Sequence, residues 1–140
     1  MMQVQFCGRK EAEERTPDSG WAVISITDPG GAAALQDGWF EVLRLQFHDI
    51  DPDKILNPFL RADVLKAKPP MTPEQAAVVV AFVRRMMRSE VKGILVHCEQ
   101  GVSRSAATAQ WIVDRYGLLG FGSLTRLMNR WVYGLLDQVG

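Results

Sequence analysis

The sequence predicts an α/β fold, a central parallel or mixed sheet of four to five strands flanked by helices. Three observations predict it. Strand-like segments alternate with helical ones along the chain, the pattern that builds a sheet covered by helices. Two of the strand-like segments, WAVISIT (21–27) and KGILVH (92–97), are nearly continuous apolar runs, as expected of strands buried on both faces. The chain has 140 residues, 47% hydrophobic and 23% charged, the size and balance of one ordinary globular domain, so residues 1–140 are read as a single unit.

Taken in order, Val4 to Phe6 suits a short first strand, and KEAEER (10–15) a helical turn closed by Pro17. WAVISIT stops at the turn cluster DPGG (28–31). FEVLRLQF (40–47) reads as another strand and runs into the acidic segment HDIDPDK (48–54). Asp51-Pro52 pairs an N-cap residue with a proline at the first helical position, which predicts a helix over about 52–63. After KAKPPM (66–71), Thr72, Pro73 and Gln75 form a capping-box signature for a helix running to Arg88, with Arg84, Arg85 and Arg88 as a basic, solvated edge. KGILVH follows, then a loop, then a helix from Ser105 to Tyr116 ended by Gly117. A last helix is expected over 123–138, with Leu124, Leu127, Met128, Trp131 and Leu135 on one stripe.

Composition excludes several functions. Sixteen Lys and Arg balance sixteen Asp and Glu, without the basic excess of a dedicated nucleic-acid or anionic-membrane binder. Two cysteines, Cys7 and Cys98, give no disulfide framework, and with two histidines they make no zinc-ligand pattern. Cys7 reads as a small buried side chain. Residues 1–20 lack the apolar stretch of a signal peptide, and nothing approaches the 18 or so apolar residues of a membrane span. The expectation is a soluble, cytoplasmic protein in a reducing compartment, needing no cofactor or metal.

The informative segment is HCEQGVSRS (97–105). A strand, a short glycine-containing loop and a helix N-terminus bring backbone N–H groups together on an anion. The loop from Glu99 through Gln100, Gly101, Val102 and Ser103 to Arg104 can wrap a tetrahedral dianion with its amides. Gly101 suits a tight turn, and Arg104 offers a planar fork for two phosphate oxygens. A cysteine at the floor of such a cradle is favoured as thiolate by the amides, the helix dipole and the arginine, which makes Cys98 a nucleophile beside bound phosphorus. Ser105 is placed to hydrogen-bond the Cys98 sulfur. His97 alternates to the opposite face of its strand and reads as structural support of the loop.

The segment resembles the H-C-x5-R-[ST] signature of the cysteine-dependent protein tyrosine phosphatases, most closely the compact dual-specificity and prokaryotic branch. Cys98, Gly101, Arg104 and Ser105 stand where that signature has them, and Gln100 departs from the alanine common there. The resemblance implies a phosphate monoester hydrolase acting on a phosphorylated protein or small phosphomonoester. Cys98 would be the nucleophile, Arg104 the phosphate clamp, and an upstream aspartate the general acid. The candidates are Asp49, just past the strand, then Asp51, which also reads as a helix cap, and Asp53. Trp39 is a candidate to border the substrate, and Asn129 with Arg130 a candidate to touch the loop. Two rivals remain on the sequence alone. One is a rhodanese-like or arsenate-reducing enzyme, the latter needing Cys7 as a resolving thiol; the other is a phosphate-reading module without turnover.

Overall fold

The computed structural model describes residues 2–121 and 125–140. Four strands, β1 (Gln3–Gly8), β2 (Trp21–Thr27), β3 (Glu41–Gln46) and β4 (Gly93–Cys98), form one sheet in the order β1-β4-β2-β3. Every pairing is parallel, so the sheet has the lower number of strands expected and none of the antiparallel character left open. The helices are α1 (Arg9–Glu14), α2 (Pro58–Ala67), α3 (Pro73–Met87), α4 (Arg104–Tyr116) and α5 (Arg130–Val139).

The central strands β2 and β4 are buried almost throughout, which is why both read as nearly continuous apolar runs. On one face, Ile24, Ile26, Ile94 and Val96 pack against α3, α4 and α5 through Val79, Val83, Trp111, Ile112 and Leu136. The other face is thinner: Cys7, Val23 and Leu95 are covered by Ala12 of α1 and by Leu35 and Trp39. Cys98 belongs to the thick face and Cys7 to the thin one. In a parallel sheet every strand ends at the same edge. The segments after β1, β2, β3 and β4 therefore gather there, and in this fold class ligands bind at that edge.

Two helices start later than the sequence suggests. The helix expected over 52–63 is a single 3-10 turn, Pro52–Lys54, capped by Asp51, followed by α2 from Pro58. Pro58 has no N–H to continue a helix begun at 52, and its ring would clash with the carbonyl four residues back. Asn57 restarts the chain by accepting hydrogen bonds from Phe59 and Leu60 N–H. Every residue of α2 keeps some exposure, with Phe59 and Leu60 largely in solvent. The last helix, expected from 123, begins at Arg130 behind an Asn129 cap. Of its expected stripe, Leu135 is buried, Met128 and Trp131 pack on the core, Leu127 is exposed, and Leu124 lies outside the described residues. α3 has the expected capping box, with Thr72 and Gln75 bonding each other's backbone. Among the described residues no helix is long and apolar enough to cross a membrane.

Candidate active site

The loop between β4 and α4 floors an open cavity of about 280 Å³ lined by Cys98, Glu99, Gln100, Val102, Ser103 and Arg104, with Asp28, His48, Asp49, Ile50 and Lys68 around its rim. Its shape depends on Gly101, whose φ of +78° lies in the left-handed region. A Cβ there would collide with Gly8 N and the Cys7 carbonyl carbon, so the loop lies directly against the end of β1. From this turn the Gly101 N–H donates to Cys98 Sγ at 3.2 Å. Ser105 Oγ lies 3.1 Å from the same sulfur, and Cys98 itself is 2% exposed. The sulfur thus sits at the bottom of the cavity between a hydroxyl and a backbone amide.

Arg104 opens α4 and is 4% exposed. Its Nη1 donates to the Phe47 carbonyl at 2.6 Å and to Asp28 Oδ1 at 2.8 Å. Its Nε is buried with no hydrogen-bond partner among the described residues. A buried guanidinium N–H without an acceptor costs free energy, a deficit that a bound acceptor would relieve. Ser103, at the N-cap position of α4, does not cap it. Its hydroxyl donates instead to Asp49 Oδ1 at 2.7 Å, leaving the first amides of α4 without a side-chain acceptor, the arrangement that binds anions.

Asp49 is held from two directions. Besides Ser103, Asn129 Nδ2 donates to Asp49 Oδ1 at 2.8 Å and to the Ile50 carbonyl at 3.1 Å, while Asn129 Oδ1 caps α5 through Val132 N–H. Asn129 N–H also reaches the Ser103 carbonyl, so this residue does touch the loop. The other acids of the segment point elsewhere. Asp51 accepts from Asp53 N–H as a cap, and Asp53 pairs with Arg61 at 3.9 Å. Neither lines the cavity.

His97 is fully buried behind the loop. Its Nε2 lies 2.6 Å from Ser25 Oγ and its Nδ1 3.2 Å from the Cys98 carbonyl oxygen. Burial pushes its pKa below the usual histidine value, which favours the neutral ring. Cys7, on the opposite sheet face, is pushed up to about 12 by burial and then by the neighbouring Glu11. Trp39 packs on the thin face and lines a different cleft with Trp21 and Arg15, and Arg85 forms an ion pair with Glu41. Among the described residues no three His, Cys, Asp or Glu side chains form a group suited to a metal ion.

Sequence reasoning missed Asp28, His48 and Lys68 as rim residues. For the first two a signal existed: Asp28 follows β2 directly and His48 follows β3, both at the carboxyl edge where a parallel sheet collects its ligands. Lys68 carries no such mark, since it is delivered by α2, whose placement the sequence did not reveal.

No protein-family model matches this chain, and no curated protein matches it. Among solved structures it is similar to the crystal structure of Tk-PTP in the active form, with a TM-score of 0.57 and 16% sequence identity over 99% of this chain and 92% of that one. At that identity the likeness is one of fold: a parallel sheet flanked by helices, shared over nearly the whole of both chains.

Proposed function

We propose that the chain is a single-domain, cysteine-dependent phosphate monoester hydrolase, a protein tyrosine or dual-specificity phosphatase. The observation that carries this reading is the buried Nε of Arg104, unpartnered among the described residues, on a residue that lines the same cavity as Cys98 and opens a helix with no side-chain cap. In the proposed reaction Cys98 Sγ attacks phosphorus in line, forming a P–S bond as the P–O ester bond breaks. Asp49 gives its proton to the departing oxygen. The amides of Glu99 to Ser103 and the free edge of the Arg104 guanidinium hold the equatorial oxygens, where charge is stabilised without reorganisation. Water then attacks the cysteinyl-phosphate, losing its proton to the Asp49 carboxylate. The P–S bond breaks, releasing phosphate and a sulfur stabilised by the Ser105 hydroxyl. Asp28 and the Phe47 carbonyl occupy Nη1, while Nε is left without a partner among the described residues and so available to an anion. His97 supports the loop from behind.

The substrate is a phosphorylated protein or small phosphomonoester, and neither metal nor organic cofactor takes part. A reducing compartment such as the cytoplasm would keep both cysteines free, as they are in the structure. The arsenate-reducing alternative is disfavoured because Cys7, its only available resolving thiol, lies across the sheet from Cys98. Turnover of p-nitrophenyl phosphate tests the proposal. Release of phosphate by the wild-type chain and none by Cys98→Ser supports it; a Cys98→Ser activity within about tenfold of wild type removes Cys98 as nucleophile.

A further inference from the structure

The phosphate loop carries a carboxylate of its own. Glu99, the residue after Cys98, lines the cavity, and its side chain is 28% exposed. A negative charge at this position repels a phosphate dianion, so the loop needs something to neutralise it. Arg9, the first residue of α1, lies against it. Arg9 Nη1 donates to Glu99 Oε1 and Oε2 at 3.3 and 3.4 Å, and Arg9 N–H donates to the Glu99 carbonyl at 3.1 Å.

The rest of the guanidinium is also engaged. Nε donates to Glu13 Oε2 at 3.1 Å and Nη2 to the Ala32 carbonyl at 2.8 Å, while Glu13 Oε2 accepts from Ala34 N–H at 2.7 Å. Arg9 therefore joins three pieces: the phosphate loop, α1, and the 32–34 stretch of the segment after β2 that also carries Asp28. The backbone fits the same arrangement, because Gly8 lies so close to Gln100 that an added Cβ would meet the Gln100 carbonyl oxygen at 3.1 Å. Arg9 sits at the carboxyl end of β1, an edge strand 89 positions before Cys98, outside the signature segment.

We infer that Arg9 is a positioning residue for anion binding: it holds the Glu99 carboxylate away from the cradle and cancels its charge, so that the loop admits a phosphate dianion. The inference rests on the reading of the 98–104 loop as a phosphate cradle. It separates charge from scaffold. If cancellation of Glu99 is the function of Arg9, then removing the arginine weakens anion binding only while Glu99 is charged.

The test is binding of inorganic phosphate by calorimetry in a Cys98→Ser background, where turnover plays no part. Arg9→Gln is expected to weaken phosphate binding about fivefold or more, and Arg9→Lys, which keeps a cation beside Glu99, by less than about threefold. Arg9→Gln combined with Glu99→Gln is expected to return to within about twofold of the background. With Cys98 intact, the same series should move KM for p-nitrophenyl phosphate and leave kcat within about threefold. The double substitution guards against a folding artefact, since it lacks Arg9 as fully as the single one does. Equal weakness of Arg9→Gln with and without Glu99→Gln overturns the inference and leaves Arg9 as scaffold. Phosphate binding unaffected by Arg9→Gln overturns it outright. If Cys98→Ser and the wild-type chain both fail to bind phosphate, the cradle reading fails and the role of Arg9 with it.

Discussion

Asn129 Nδ2 donates to Asp49 Oδ1 at 2.8 Å, tying the cap of the last helix to the loop after β3 across 80 positions of sequence. One side chain performs both tasks: its oxygen starts α5 and its nitrogen fixes a rim carboxylate. The amide suits both because it carries a donor and an acceptor on one planar group.

Asn129→Ala should therefore lower both stability and activity, and Asn129→Ser should separate them. Serine caps a helix about as well as asparagine but is too short to reach Asp49. The expected outcome is a melting temperature for Asn129→Ser close to wild type and above that of Asn129→Ala, whose lost cap costs about 1 kcal/mol. Both should lose about ten- to hundredfold in kcat toward phenyl phosphate, the scale of a misplaced catalytic group. Thermal unfolding and steady-state kinetics on the two variants check it.

The guanidinium of Arg104 supplies a second prediction. Two acceptors hold Nη1 and none among the described residues holds Nε. Arg104→Lys keeps the charge but presents one ammonium, which cannot satisfy the Phe47 carbonyl and Asp28 while also offering a fork to phosphate. A fall of about 10²–10³ in kcat/KM is expected, the usual effect of removing a fixed donor to developing charge. Retention of more than a tenth of wild-type kcat/KM would remove the two-point clamp from the mechanism.

A third prediction is a pH dependence of stability set by His97. Burial holds its folded pKa below the ordinary histidine value of 6.5. Below that pH the unfolded chain binds a proton that the folded chain does not, so ν_U exceeds ν_N and stability rises with pH. The contribution is complete above about 6.5 and is lost as pH falls from there toward the depressed folded value. Denaturant unfolding from pH 7.5 down to 5 should show this decline. His97→Asn, which removes the titration, should flatten it even though the loss of the Ser25 contact lowers stability at every pH.

How much of this was legible in the sequence depended on how local the determining interactions are. The strands β2 and β4 announced themselves because burial on both faces leaves mostly apolar choices, with Ser25 and His97 satisfying each other. Thr72 and Gln75 did so because a capping box closes within four residues. The same local grammar misled at Asp51-Pro52, where a correct cap serves a single 3-10 turn because Pro58 forbids its extension. The start of α5 was hidden for the opposite reason: Asn129 is anchored by Asp49 and Ile50, partners no nearby residue reveals. The loop as a structural unit was readable since Cys98, Gly101 and Arg104 lie within seven consecutive positions, between the end of β4 and the start of α4. Asp28, His48 and Arg9 were missed: their places after β2, β3 and β1 put them at the carboxyl edge, but the strand order that brings them together is not a local property.

The last prediction concerns the proton donor. Asp49 and Asp28 both line the cavity, whereas Asp51 caps the 3-10 turn. Asp49→Asn is a clean substitution, because the asparagine oxygen can still accept from Ser103 and Asn129 and the loop should keep its shape. If Asp49 protonates the leaving oxygen, this variant should slow phenyl phosphate hydrolysis by about 10²–10⁴-fold. It should slow p-nitrophenyl phosphate far less, because that leaving oxygen needs little protonation. The basic limb of the pH–rate profile should flatten with it, since that limb reports loss of the protonated acid. Asp28→Asn should behave differently. It removes a charge from Arg104 Nη1 and so should change KM while leaving the basic limb in place. Asp51→Asn should change neither, because asparagine caps as well as aspartate. A basic limb that flattens in Asp28→Asn and survives in Asp49→Asn would give the proton-donor role to Asp28 and leave Asp49 as the tie between the phosphate loop and α5.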